Sequence, residues 1–137
     1  MTDLFTYGSL MFPAVWRQLV PAERTSRPAF LPFYSRRLIF LDTYPVIVPD
    51  ANSTGILGTL YSGLNANDLR RLDWFEGEIY QRISLPVLVS TGTIECQTYV
   101  PKPSFRPLAM QDIWRGDIFQ QVQMPIFLAR YYVNNLP

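Results

Sequence analysis

Histidine is absent from this 137-residue chain, and cysteine and lysine occur once each, as Cys96 and Lys102. Without imidazole there is no Ser-His-Asp or Cys-His nucleophile system and no zinc site of the kind that needs histidine. A lone cysteine cannot close an internal disulfide, which favours a reducing compartment. Charge is also sparse and nearly balanced, at net +1, against nucleic-acid or membrane-surface binding driven by electrostatics. No stretch approaches the roughly 18 apolar residues of a membrane span. The first ten residues, MTDLFTYGSL, carry no basic region followed by an apolar run, so they do not read as a signal peptide. The expectation is a cytoplasmic protein with no membrane and no nucleic-acid partner, and with neither cofactor nor metal. Any chemistry falls to carboxylates, hydroxyls, arginines or backbone groups.

What is present is enough for a core. Hydrophobic residues make up 48% and aromatics 15% of the chain, which suits one folded domain over residues 1–137. Residues 4–7 read as a strand that ends at Gly8-Ser9, and Phe12-Pro13 opens a helix to about Val20. The segment 21–33 holds three prolines and reads as a loop. Strand composition returns at 34–41, at 45–49, and at 55–61, where the two glycines of GILGTLY suggest a bulge or a close backbone approach. Asn65 suits the N-cap of a helix over 66–75, with Leu69, Leu72 and Phe75 at helical spacing and Gly77 as its C-cap. Residues 80–90 and 93–100 form a hairpin about Thr91-Gly92. Residues 101–107 are a proline-rich connection, and 109–121 and 125–134 read as helices. Strands gathered around one internal helix indicate an α+β domain. Strand pairing cannot be read from this pattern.

Two segments could carry chemistry. At Tyr7-Gly8-Ser9-Leu10 a glycine turn lets successive backbone N–H groups face a carboxylate or an oxyanion. An ordinary strand-to-helix turn explains the same four residues. Glu76, in LDWFEGEIYQR, follows Trp74 and Phe75 at a helix C-terminus. Apolar neighbours and the negative end of the helix dipole both raise a carboxyl pKa toward the range a general acid/base needs. A solvated glutamate, or a partner for Arg82, is the plainer alternative. Of the four glutamates, Glu23 lies in a proline-flanked loop and Glu95 mid-strand on an outer face. Glu78 is the competitor, and its charge would itself raise the pKa of Glu76. Arg82 reads as a structural charge partner. Tyr80 and Tyr99 are candidates to line a pocket, as are Tyr61, Tyr131 and Tyr132, with core packing the default for each.

Together LFTYGSL, GILGTLY and LRRLDWFEG, with Y-x-R just beyond, resemble the gamma-glutamylcyclotransferase-like superfamily in residue type, order and spacing. The pattern covers 4–82, the strands over 83–100 fit it, and the segment after 109 is less specific. The resemblance implies a small mixed barrel-like sheet with a few helices and a site at one end. It implies a small-molecule gamma-glutamyl substrate from which 5-oxoproline is released, as a cyclotransferase of transferase or lyase type. Carried over by position, Tyr7, Gly8, Ser9 and Leu10 would bind the glutamyl part through backbone amides, and Glu76 would be the acid/base. Ser9 stands where many relatives have threonine. Because some members of the fold are not catalytic, a metabolite-binding protein remains the alternative. A peptide or nucleic-acid interaction domain using the arginine-aromatic surface is disfavoured by the charge balance. The leaving amine and the oligomeric state are not legible.

Overall fold

A computed structural model of the chain describes residues 1–38 and 45–109. The helices expected over 109–121 and 125–134 and the end of the 34–41 strand fall outside the described residues. In chain order the elements are β1 (Thr2–Thr6), a 3-10 turn (Ser9–Met11), α1 (Pro13–Leu19), β2 (Thr25–Pro32), β3 (Tyr34–Leu38), β4 (Pro45–Pro49), β5 (Gly55–Leu64), α2 (Ala66–Glu76), β6 (Tyr80–Val89) and β7 (Gly92–Pro101). Short 3-10 turns follow α2 and β7. The result is an α+β fold built on a closed five-stranded barrel.

The barrel runs β1-β5-β2-β6-β7, and β3 and β4 form a separate two-stranded sheet. Its pairs are antiparallel except for the closing contact of β1 with β7, which is parallel at Leu4 and Gln97. All five strands send side chains to one buried cluster that includes Phe5, Ala29, Leu60, Val87 and Cys96. A second cluster packs α1 and α2 on the barrel through Val15, Trp16, Leu19, Leu72 and Phe75.

The segment 21–33 is not a loop, because β2 occupies Thr25–Pro32 in full register with β5. Pro28 and Pro32 remove two ladder donors, but β2 pairs with β6 only at Phe30 and Leu88. Over most of its length it therefore behaves as an edge strand, where proline is tolerated. The close approach expected at the 55–61 glycines occurs at Gly58. A Cβ there would stand 2.2 Å from the Thr6 carbonyl oxygen and 2.7 Å from the Phe5 ring. Helix α2 is held at its start by a reciprocal capping box: Asn65 Oδ1 accepts from Asp68 N–H at 2.8 Å, and Asp68 Oδ2 accepts from Asn65 N–H at 3.0 Å. It stops at Gly77, which takes φ +74° with open space where a Cβ would be.

Candidate active site

Strand β1 and helix α2 meet at one end of the barrel. Between them lies a narrow cleft of about 30 Å³, lined by Phe5, Thr6, Tyr7, Gly8, Ser9, Leu10, Pro45, Phe75, Glu76, Tyr80 and Tyr99. The structure thus brings together the 7–10 turn, Glu76, Tyr80 and Tyr99, while Tyr131 and Tyr132 lie outside the described residues. Tyr61 is elsewhere, stacked on Trp16 with ring centroids 3.6 Å apart.

The 7–10 turn is held rigidly at its base. Thr6 Oγ1 donates to the Thr59 carbonyl at 2.9 Å, and Arg36 Nη1 donates to the Tyr7 carbonyl at 2.9 Å. Gly8 passes so close to Pro45 that a Cβ would lie 2.5 Å from its Cγ. The turn leads into the 3-10 turn, not directly into a helix, and its first internal bond runs from Met11 N–H to the Gly8 carbonyl at 3.0 Å. The N–H groups of Gly8, Ser9 and Leu10 precede that bond and have no hydrogen-bond partner among the described residues. Three adjacent backbone donors at the wall of a cleft are a site for an anion or a developing oxyanion.

Glu76 closes α2 on the opposite wall. Its carboxyl is pushed up to about 8, chiefly by removal from water and further by the negative charge of Asp73 one helical turn back. The like charge is thus Asp73, not the exposed Glu78. Of the two aromatics before it, Phe75 is buried and lines the cleft, whereas Trp74 is 38% exposed and is not among the cleft's lining residues. Arg82 is not a partner of Glu76. It grips Asp73 with a fork, Nε to Oδ1 at 2.7 Å and Nη2 to Oδ2 at 3.1 Å, and its Nη1 meets the Gln97 amide oxygen.

The cleft tyrosines use their hydrogens on the protein. Tyr7 donates to the Tyr99 carbonyl at 2.5 Å, Tyr80 to the Pro45 carbonyl at 2.6 Å, and Tyr99 to Asp73 Oδ1 at 2.6 Å. Burial and the nearby Glu76 charge raise the Tyr7 hydroxyl pKa, and burial and the Asp73 bond raise that of Tyr99. Both stay protonated and neutral near pH 7. Cys96 is not a hidden nucleophile: it is buried in the barrel and its thiol is pushed up to about 12, first by desolvation. No cluster of three potential metal ligands exists among the described residues. No described helix is long and apolar enough to cross a membrane.

Pro45 and Asp73 are the contributors that sequence reasoning missed. Pro45 has no local signal. Asp73 had one: it lies three residues before Glu76 on a helix, so the two share a face.

Comparison with known proteins agrees with this fold. The profile of the family described as gamma-glutamyl cyclotransferase, AIG2-like, matches residues 4–117. AIG2-like protein D of Arabidopsis thaliana is 31% identical over 131 residues, spanning 93% of this chain and 85% of its own. A solution structure of another Arabidopsis thaliana protein superposes with a TM-score of 0.70 at 26% identity, over 95% of this chain and 79% of that one. A solved gamma-glutamyl cyclotransferase has the same fold, with a TM-score of 0.65 at 16% identity over 99% of this chain and 88% of the other.

Proposed function

The chain belongs to the gamma-glutamyl cyclotransferase, AIG2-like family, and from that membership we propose that it releases 5-oxoproline from a gamma-glutamyl amine or peptide. One observation carries the reading. A carboxyl with a pKa of about 8 shares a cleft with the N–H groups of Gly8, Ser9 and Leu10, which have no hydrogen-bond partner among the described residues.

The reaction needs no nucleophile from the protein. The α-amine of the glutamyl group attacks its own γ-carbonyl, forming the C–N bond of a five-membered lactam and breaking the bond to the leaving amine. Holding that geometry is worth up to about 10⁵–10⁸ M in effective concentration. Glu76 as carboxylate takes a proton from the α-ammonium and returns one to the departing nitrogen. The amides of the 7–10 turn grip the α-carboxylate and stabilise the oxyanion of the tetrahedral intermediate. Tyr7 and Tyr99 donate their hydrogens to the protein, so toward a ligand both offer acceptor oxygens, which suit an ammonium. Pro45, Phe75 and Tyr80 fold the chain of the substrate and exclude water.

At about 30 Å³ the cleft has room for about two waters, so a glutamyl group enters only if its walls part. The second reading is a metabolite-binding protein of this fold without turnover. The two are separated by incubating the protein with a panel of gamma-glutamyl amines and peptides and assaying 5-oxoproline. Turnover lost in Glu76→Gln supports catalysis. A ligand-induced rise in melting temperature with no 5-oxoproline supports binding alone. The lone, buried Cys96 favours a cytoplasmic location, and the domain is proposed to span the whole chain.

A further inference from the structure

Beside the narrow cleft lies a second, wider hollow of about 440 Å³, lined by Asp73, Gly77, Tyr80, Gln81, Arg82, Gln97 and Tyr99. The two share Tyr80 and Tyr99 as walls, and Glu76, which lines the first, adjoins in sequence Gly77, which lines the second. Gly77 adds no bulk to its floor. The first cleft is mainly apolar in character, whereas the hollow presents one carboxylate, one guanidinium and two amides. The charged groups are already organised, since Arg82 spans Asp73 and Gln97.

We propose that this hollow is the subsite for the leaving-group end of the substrate, and that Arg82 and Gln97 select a polar amino-acid leaving group over an aliphatic amine. The inference rests on the reading given under Proposed function. A gamma-glutamyl group held in the first cleft directs its scissile nitrogen past Glu76, the group that must protonate it, and whatever that nitrogen carries continues into the hollow. Asp73 and Arg82 cancel in charge, so the hollow has no net charge to repel the carboxylate of an amide-linked amino acid, and an alkyl chain there would only desolvate polar atoms. Arg82 directs three of its five N–H groups to Asp73 and Gln97, and the other two, without a partner among the described residues, can meet a carboxylate. The Gln97 amide, fixed by Arg82, offers its NH₂.

The test measures equilibrium binding by calorimetry in a Glu76→Gln background, where ligands are not consumed. The probes are gamma-glutamyl-alanine, gamma-glutamyl-butylamide and 5-oxoproline. The expected result is tighter binding of the alanine conjugate than of the butylamide. Gln97→Ala, and separately Arg82→Lys, which retains the positive charge beside Asp73, should weaken the alanine conjugate by about three- to tenfold. The butylamide and 5-oxoproline should be unaffected. If both conjugates bind equally and neither variant distinguishes them, the subsite is refuted while the first cleft keeps its role. If no gamma-glutamyl probe binds, the proposed function fails and the subsite fails with it.

Discussion

Glu76 shows what burial does to one side chain. In an unfolded chain its carboxyl titrates near 4.5, and in the folded protein near 8. Between those values the native state holds a proton that the unfolded chain has lost, so stability falls as pH rises through this window. The contribution is fully present below about 4.5 and gone above about 8. The slope is at most about 1.4 kcal/mol per pH unit. Glu76→Gln removes the titration, so urea unfolding at pH 5, 6.5 and 8 should show a flatter profile than wild type. Parallel profiles would mean that the carboxyl is solvated. The same variant should lose about 10²–10⁴-fold in turnover while folding normally. Glu76 was legible as a candidate acid/base from its position after an aromatic at a helix end. That Trp74 points outward and Asp73 supplies the second push was not, because it depends on how the helix is rotated against the barrel.

At the scale of elements, the last turn of α2 and the strands facing it form one electrostatic unit. Asp73 and Glu76 sit on the same face, Tyr99 reaches Asp73 from β7, and Arg82 reaches it from β6. Asp73→Asn removes the like charge and frees Arg82, and both changes lower the Glu76 pKa. Since the ionised Glu76 acts on the substrate ammonium, the acid limb of kcat/KM, expected near pH 8, should move to lower pH. A limb that stays in place would separate Asp73 from the proton chemistry. Strands were legible where β-branched and other apolar residues recur over a long run, as in β7 and, despite its single Pro86, in β6. They were hidden where prolines cluster: Ala29 and Leu31 are buried in β2, yet Pro28 and Pro32 flanking them, with Pro21 upstream, mark a loop in any local reading. Gly58 was legible as a close approach, though not its target. Gly58→Ala must push against the Thr6 backbone, which leads directly into Tyr7 and Gly8. A cost of about 1–3 kcal/mol is expected, with loss of activity in the folded fraction. A variant as stable as wild type would show that β1 and β5 can separate there without penalty.

For the whole molecule, the barrel order β1-β5-β2-β6-β7 was the least legible feature, because only the β6–β7 hairpin joins neighbours in sequence. Closure rests on long-range pairs such as Leu4 with Gln97, which leave no periodic trace. The helical layer is fastened to the barrel by a residue that composition alone would place on the surface. Asp68 is 1% exposed. Its carboxylate accepts from Arg24 just before β2, from Arg71 one turn on, and from the Asn65 backbone N–H. Arg71 in turn donates to the Leu19 carbonyl at 2.5 Å, the last residue of α1. One buried carboxylate therefore ties together α1, α2 and the start of β2, well away from the cleft. Asp68→Ala breaks the capping box and leaves two arginines without their anion, at a cost of about 3–5 kcal/mol for a buried pair. Because Arg24 and Arg71 remain 20% and 24% exposed, water recovers part of this, and the lower end of the range is expected. Urea unfolding should show a lower midpoint at unchanged slope, with the pH dependence of the folded fraction still that of Glu76. A loss below about 1 kcal/mol would mean that apolar packing of Leu72 and Phe75 holds the helices without help, and that the ion cluster only sets their register.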